Sequence, residues 1–144
     1  MEDPDVTVAL IEGEEHEHRA AAVRELIALN EARAGQSAQR SPICALLRND
    51  TGAVSGGLWG EVRWRWLTVG TLFVPEQLRG NGIGRRLMLE VEEAARRRGC
   101  IGSFTDTYSF QAQSFYEHLG YAVFGEIEDY PPGHRRCFLS KRFA

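Results

Sequence analysis

Arg79-Gly80-Asn81-Gly82-Ile83-Gly84 sets three glycines within five residues, with Arg79 in front and Arg85 behind. Glycine admits backbone dihedrals closed to other residues and puts no Cβ between main chain and ligand. Where such a turn opens a helix, its N–H groups and those of the first helical residues converge, and the helix dipole adds positive potential at that point. The chemistry on offer is binding of an anion, a phosphate or pyrophosphate above all, with Arg79 and Arg85 supplying charge. A P-loop is excluded, because a Lys-Ser/Thr pair must follow its last glycine and Arg85-Arg86 stands there. A dinucleotide fingerprint is excluded as well: the spacing is G-x-G-x-G, and the strand in front closes a meander instead of opening a parallel sheet. A plain tight strand-to-helix connection is the remaining alternative.

Other chemically able residues carry weaker signals. His16-x-His18 lacks the i,i+4 spacing of a metal motif and reads as solvated, His118 reads as a cap-region side chain, and no metal is expected. Cys44, Cys100 and Cys137 are odd in number, far apart and without a C-x-x-C pair, so buried reduced thiols are expected. Trp59, Trp64 and Trp66 crowd one β region; alternation gives Trp64 and Trp66 a common face, either core or an aromatic pocket for a substrate. The acidic surplus before Asn30 either attracts a cation or is a solvated face.

The elements that must position the glycine turn are legible from periodicity. Val6 to Ile11 reads as a strand, followed by a helix with Ala22, Val23, Leu26, Ile27 and Leu29 apolar, stopping near Gly35. From Pro42 to Val74 short β-prone runs, one turn of them being Asn49-Asp50-Thr51-Gly52, predict an antiparallel meander. After the turn, Ile83, Leu87, Val91 and Ala94 or Ala95 share a helical face, and Glu92–Arg96 and Glu93–Arg97 are predicted i,i+4 pairs on the other, before Gly99 closes the helix. Cys100 to Thr105 reads as a strand, Phe110 to Leu119 as a helix ended by Gly120, and Tyr121 to Ile127 and Arg135 to Ser140 as two more strands. Strand, helix and strand between residues 67 and 106 imply a right-handed parallel crossover in a mostly antiparallel sheet.

Composition limits the whole to one domain. The 144 residues are 43% hydrophobic and 26% charged, enough for a single core. A net charge of -3 gives no basic footprint for releasing counterions from DNA or RNA, so no nucleic-acid partner is expected. Met1-Glu2-Asp3-Pro4-Asp5 lacks the features of a signal peptide, and no apolar run approaches a membrane span, so a cytoplasmic protein without a membrane partner is expected.

At the glycine turn the sequence resembles the GNAT family of N-acetyltransferases, whose signature R/Q-x-x-G-x-G/A is filled by Arg79, Gly82 and Gly84. The resemblance extends to Leu72-Phe73-Val74-Pro75 and to Phe115-Tyr116-Glu117-His118-Leu119-Gly120-Tyr121, and spans about Trp66 to Phe143; before that only the order of elements agrees. The run from Asp106 to Tyr121, followed by a Pro-Pro-Gly-His loop, resembles a bacterial branch of the family.

The resemblance implies an α+β, three-layer α/β/α fold: a mixed, mostly antiparallel sheet with helices on both faces, splayed between the central strands near Val74. It implies acetyl-CoA as co-substrate and direct transfer of the acetyl group to a primary amine of a small molecule or peptide, with no metal; a homodimer is allowed. By resemblance Leu72, Phe73 and Val74 hold the pantetheine arm through main-chain bonds, with the Val74 N–H toward the thioester oxygen. Arg79, Gly80, Asn81, Gly82, Ile83, Gly84 and Arg85 bind the pyrophosphate, with Phe115 beside them. Tyr116 matches the acid that protonates the departing thiolate; ordinary packing is the competing reading, and a phenol near pKa ~10 stays protonated at neutral pH. Ser109 stands where many members have an Asn, so Ser109 or Gln111 is expected to make the coenzyme contact. The glutamate that serves some members as base is replaced by Trp66. Asp106 is the first substitute, with Glu61, Glu126, Asp129, His134 or a water chain behind it. A non-catalytic acyl-CoA-binding or regulatory module is the alternative reading.

Overall fold

In the computed structural model, residues 5–144 are described, and the chain divides into two units, Met1–Ser37 and Ala38–Ala144. The first holds helix α1, Arg19–Ala34, which stops where the sequence predicts: Gly35 takes φ 72° and its N–H caps the Glu31 carbonyl at 3.0 Å. The predicted strand at Val6–Ile11 is irregular instead, with Val8 95% and Leu10 84% exposed. Alternation gives a strand its faces but not its ladder, and among the described residues of this unit no second strand exists to pair with it.

The second unit carries β1 (Ser41–Arg48), β2 (Val54–Arg63), β3 (Trp66–Phe73), α2 (Ile83–Arg97), β4 (Gly102–Tyr108), α3 (Gln113–His118), β5 (Ala122–Glu128) and β6 (Arg135–Arg142). One six-stranded sheet has the order β1-β2-β3-β4-β6-β5, antiparallel throughout except between β3 and β4. That parallel pair is the predicted crossover, with α2 as its connection. The mixed, mostly antiparallel sheet with helices packed on it is the α+β fold that the sequence implied.

The helix α2 packs its Leu87, Met88, Val91 and Ala95 face onto β1, β2 and β3, where Leu58, Leu67 and Val69 meet it; Leu139 and Tyr116 complete the core. Its outer face carries the predicted Glu93–Arg97 pair at 3.6 Å. Glu92 departs from expectation: it is fully buried instead of pairing with Arg96. Its Oε1 accepts from Lys141 Nζ at 2.8 Å and its Oε2 from the Tyr121 hydroxyl at 2.7 Å, which also meets Ser103 Oγ at 3.0 Å. Position 92 follows Val91 on the inward face, so only these partners, from β4, β5's approach and β6, make a carboxylate tolerable there.

The centre of the sheet opens. The pairing of β3 with β4 runs from Trp66↔Gly102 to Val69↔Thr105 and stops, while β3 continues to Phe73 and β4 to Tyr108. Gly70 supplies the cause: against β2, Val69 pairs with Gly60 and Thr71 with Trp59, leaving Gly70 as an extra residue that bends the strand away. The splay expected near Val74 thus begins four residues earlier.

Trp64 and Arg65 form the β2–β3 turn with positive φ of 48° and 60°, so the strand alternation that would align Trp64 with Trp66 does not run through them. Cys44 is exposed, against expectation, because it points outward on the edge strand β1; Cys100 and Cys137 are buried, and all three are free thiols. His16 and His18 are exposed, and no metal-ligating cluster exists among the described residues.

Candidate active site where the central strands part

The opening between β3 and β4 is the mouth of a cleft of about 1040 Å³. One wall is the edge of β3 from Val69 to Val74, whose far side remains paired with β2; the other is β4 from Thr105 to Tyr108. The glycine turn and the start of α2 close one end, and α3 contributes Phe115 and Tyr116.

The turn is built from inside. After β3, Pro75 leads into one 3-10 turn at Glu76–Leu78, and Asn81 Nδ2 donates to the Leu78 carbonyl at 3.1 Å. Arg79 Nε donates to the Val74 carbonyl at 2.8 Å, tying the end of β3 to the turn. Gly80 and Gly82 take φ of 81° and 76°, and a Cβ on either would enter open space, so dihedral freedom is the reason for glycine at both. Gly84 has a different reason: its Cβ would stand 3.4 Å from the Phe115 ring, against which α2 packs closely. The first bond of α2 runs from the Arg86 N–H to the Gly82 carbonyl at 3.0 Å; the N–H groups of Ile83, Gly84 and Arg85 precede it, and are those a helix start leaves for an anion.

Tyr116 is 6% exposed, its ring edge-on to Phe115 and Tyr121 at 5.1 and 5.8 Å between centroids. Burial pushes its phenol above the ordinary tyrosine value, the Thr105 hydroxyl opposes this, and the Asp106 charge adds to it. The phenol therefore stays protonated at neutral pH.

Across the cleft, Asp106 Oδ2 accepts from Arg136 Nε at 2.7 Å and lies 2.6 Å from Nη2. Arg136 Nη1 donates to the Tyr130 hydroxyl at 2.9 Å, and the guanidinium lies over the Tyr130 and Phe138 rings at 5.0 and 5.3 Å. Register explains the cluster: Asp106 pairs with Phe138 and Tyr108 with Arg136, so all four project from the same face of the β4–β6 ladder. Tyr108 stacks on Phe110 at 5.2 Å, and His134 meets Phe110 edge-on at 4.9 Å.

Of the residues singled out from the sequence, Leu72, Phe73, Val74, Arg79, Gly80, Gly82, Ile83, Gly84, Arg85, Asp106, Gln111, Phe115 and Tyr116 line one cleft. Asn81 and Ser109 do not line it: the Asn81 amide braces the turn, and Ser109 Oγ accepts from the Arg135 N–H at 3.0 Å. Glu61 is paired with Arg40 at 3.1 Å and Glu126 with Arg135 at 3.5 Å, both outside the cleft lining. Trp59, Trp64 and Trp66 are absent from the lining; its aromatic wall is Tyr108, Phe110 and Phe115 instead. Sequence reasoning missed Arg136. Its signal was register: a β6 residue beside Asp106 and Tyr108 is visible only once β6 is known to pair with β4.

The sequence model of the acetyltransferase (GNAT) family matches residues 8–121. The chain is 42% identical over 118 residues to an acetyltransferase of Agrobacterium fabrum, covering 82% of this chain and 85% of that one. It is 47% identical over 93 residues to the blasticidin-S acetyltransferase of Streptomyces morookaense, covering 64% and 68%. A crystal structure of an acetyltransferase from Agrobacterium tumefaciens matches with a TM-score of 0.90 at 36% identity, over 96% of this chain and all of that one.

Proposed function

Because the chain belongs to the acetyltransferase (GNAT) family, and is an acetyl-CoA-dependent N-acetyltransferase, we propose that it acetylates the primary amine of a small molecule by direct attack in a ternary complex. The observation that carries this is the juxtaposition, in one cleft, of an unpaired strand edge, a glycine turn at a helix start and a buried phenol. Coenzyme phosphates fit the N–H groups before Arg86 and the charges of Arg79 and Arg85. The pantetheine arm lies along the open edge of β3, where its amides take the ladder positions that β4 vacates after Thr105. With its own carbonyl held by Arg79, the end of β3 presents the Val74 N–H to the thioester oxygen, which gains negative charge as the amine attacks.

The new N–C bond forms first, and the C–S bond breaks as the charge on the oxygen returns to the carbonyl. Tyr116 gives its proton to the departing sulfur, and the proton that the amine loses passes to Asp106 or to water. Asp106 suits the part through Oδ1, since Oδ2 is taken by Arg136. The small-molecule acceptor is supported by the relative that acts on blasticidin S. We place the reaction in the cytoplasm and treat residues 1–144 as one acetyltransferase domain; no helix among the described residues is long and apolar enough to cross a membrane. A thiol-release screen with acetyl-CoA against amino acids, polyamines, aminoglycosides, nucleoside antibiotics and peptides tests the reading. Amine-dependent release supports it; coenzyme binding without release from any amine refutes it.

A further inference from the structure

The charge balance of the cleft singles out one class of acceptor. Asp106 is the only acidic residue lining it among the described residues, against Arg79, Arg85 and Arg136. Arg79 and Arg85 flank the glycine turn, so Arg136 is the cation left at the opposite wall. Its pairing with Asp106 compensates that carboxylate, which makes the wall a poor trap for a polycation but leaves it able to hold both signs of charge at once.

The hydrogen-bond inventory is specific. A guanidinium has five N–H donors. In Arg136, Nε and Nη2 are turned to Asp106 Oδ2 and one Nη1 donor to Tyr130, so each terminal nitrogen keeps an N–H without a partner among the described residues. Asp106 Oδ1 likewise has no hydrogen bond among the described residues. Arg136 is held by Asp106, by Tyr130 and by the rings around it, so its fork is fixed before any ligand arrives.

We propose that Arg136 and Asp106 form a two-point acceptor subsite for an amine that also bears a carboxylate, the carboxylate on the free N–H groups of Arg136 and the amino group on Asp106 Oδ1. Tyr108 and Phe110 supply an apolar platform for the body between the two charges. The proposal rests on the acetyl-transfer reading for the identity of the amine as acceptor, but its binding geometry is testable without turnover.

The test titrates coenzyme A-loaded protein with matched acids and carboxamides by calorimetry: phenylalanine and phenylalaninamide, β-alanine and β-alaninamide, glycylglycine and its amide. The expected result is at least one pair in which the acid binds about tenfold or more tightly than the amide, the loss expected for a missing charge-assisted hydrogen bond. Arg136→Gln is expected to bring that ratio near one while leaving coenzyme A affinity unchanged, the latter showing that the variant is folded. The proposal is overturned by equal affinities in every pair, by no binding of any acid, or by a preference that survives Arg136→Gln. It is overturned too if the variant weakens acid and amide alike, because Arg136 would then act only by holding Asp106. Thiol release read in parallel separates the two ideas. Amides acetylated as well as acids would leave acetyl transfer standing without the subsite; acids bound in preference but never acetylated would leave the subsite without acetyl transfer.

Discussion

Replacing Tyr116 by Phe removes a single oxygen from the wall of the cleft. The ring is 6% exposed and stays packed between Phe115 and Tyr121, so little apolar burial is lost. The hydroxyl's neighbour is Thr105, whose own Oγ1 donates to the Val69 carbonyl at 3.1 Å and remains satisfied in the variant. The stability cost is therefore about 1 kcal/mol or less. The catalytic cost is larger. Without the phenol the sulfur must leave as a bare thiolate or wait for water, and a positioned general acid contributes roughly 10²- to 10⁴-fold. We expect kcat to fall at least ~100-fold, about 2.7 kcal/mol of barrier, with coenzyme affinity unchanged. Burial holds the phenol above its usual value against the opposing Thr105 hydroxyl, and the Asp106 charge adds to the rise. The wild-type enzyme should thus keep its acid protonated through neutral pH and lose activity only above pH ~10, a limb absent from the variant. Thiol release at saturating acetyl-CoA across pH 6 to 11 (about the usable range) gives the kinetic part, and calorimetry with coenzyme A the affinity. Turnover within about threefold of wild type would show that Tyr116 only packs.

Gly82→Asp places a Cβ in the open space before α2 and a carboxylate where a phosphate would lie, at a φ of 76°. Calorimetry should show coenzyme affinity reduced far more than by Gly82→Asn, which shares the backbone strain without the charge; equal losses would remove the electrostatic argument. Lys141→Met strips the ammonium from the fully buried Glu92 and should cost about 3–5 kcal/mol in urea unfolding, most of it recovered by the double Glu92→Met, Lys141→Met change; a cost under ~1 kcal/mol for the single change would refute this. Burial raises Tyr121 above the ordinary tyrosine value against the opposing Ser103 hydroxyl, with Glu92 adding to the rise, and Tyr116 is raised as well. Above pH ~10 the unfolded chain gives up protons that the folded one keeps, so stability is full below that pH and falls above it, by up to ~2.7 kcal/mol per pH unit for the two groups. Tyr121→Phe should make that decline in denaturation midpoints between about pH 9 and 11 shallower without abolishing it, since burial also raises Tyr116 and the Cys100 thiol; an unchanged slope would count against the buried Tyr121 phenol as a source.

The elements were legible wherever one face was buried and the other wet. The inward side chains of α2 repeat at helical spacing, and Gly35, Gly99 and Gly120 mark helix ends with the positive φ that favours glycine. The glycine-turn end of the cleft was legible for a related reason: such a turn is a local feature whose residues are contiguous. Glu92 misled because charge is normally a surface signal, and its burial depends on Lys141, 49 residues away. Val6–Ile11 misled because a strand needs a partner that periodicity does not report. Arg136 was invisible for the same reason as Lys141. Its place beside Asp106 follows from the order β4-β6-β5, in which the last strand inserts between two earlier ones, and no local pattern in the sequence encodes that insertion.

Among the described residues, the four residue pairs that join β3 to β4 are also the only ladder between two three-stranded plates, β1-β2-β3 and β4-β6-β5. The core crosses that seam: Glu92 of α2, which packs on the first plate, is hydrogen-bonded to Lys141 in β6 and to Tyr121 just before β5, so packing as well as the ladder holds the plates at their angle and the cleft at its width. The strand edge and glycine turn belong to the first plate, Asp106 and Arg136 to the second. On the proposed reading each ligand rests on one plate, and the distance between amine and thioester follows from how the plates are packed against each other. Trp66 and Gly102 sit at the closed end of that seam, and because the Trp66 ring fills the space a Cβ at position 102 would need, a larger residue there would strain the joint between the plates at a distance from any ligand.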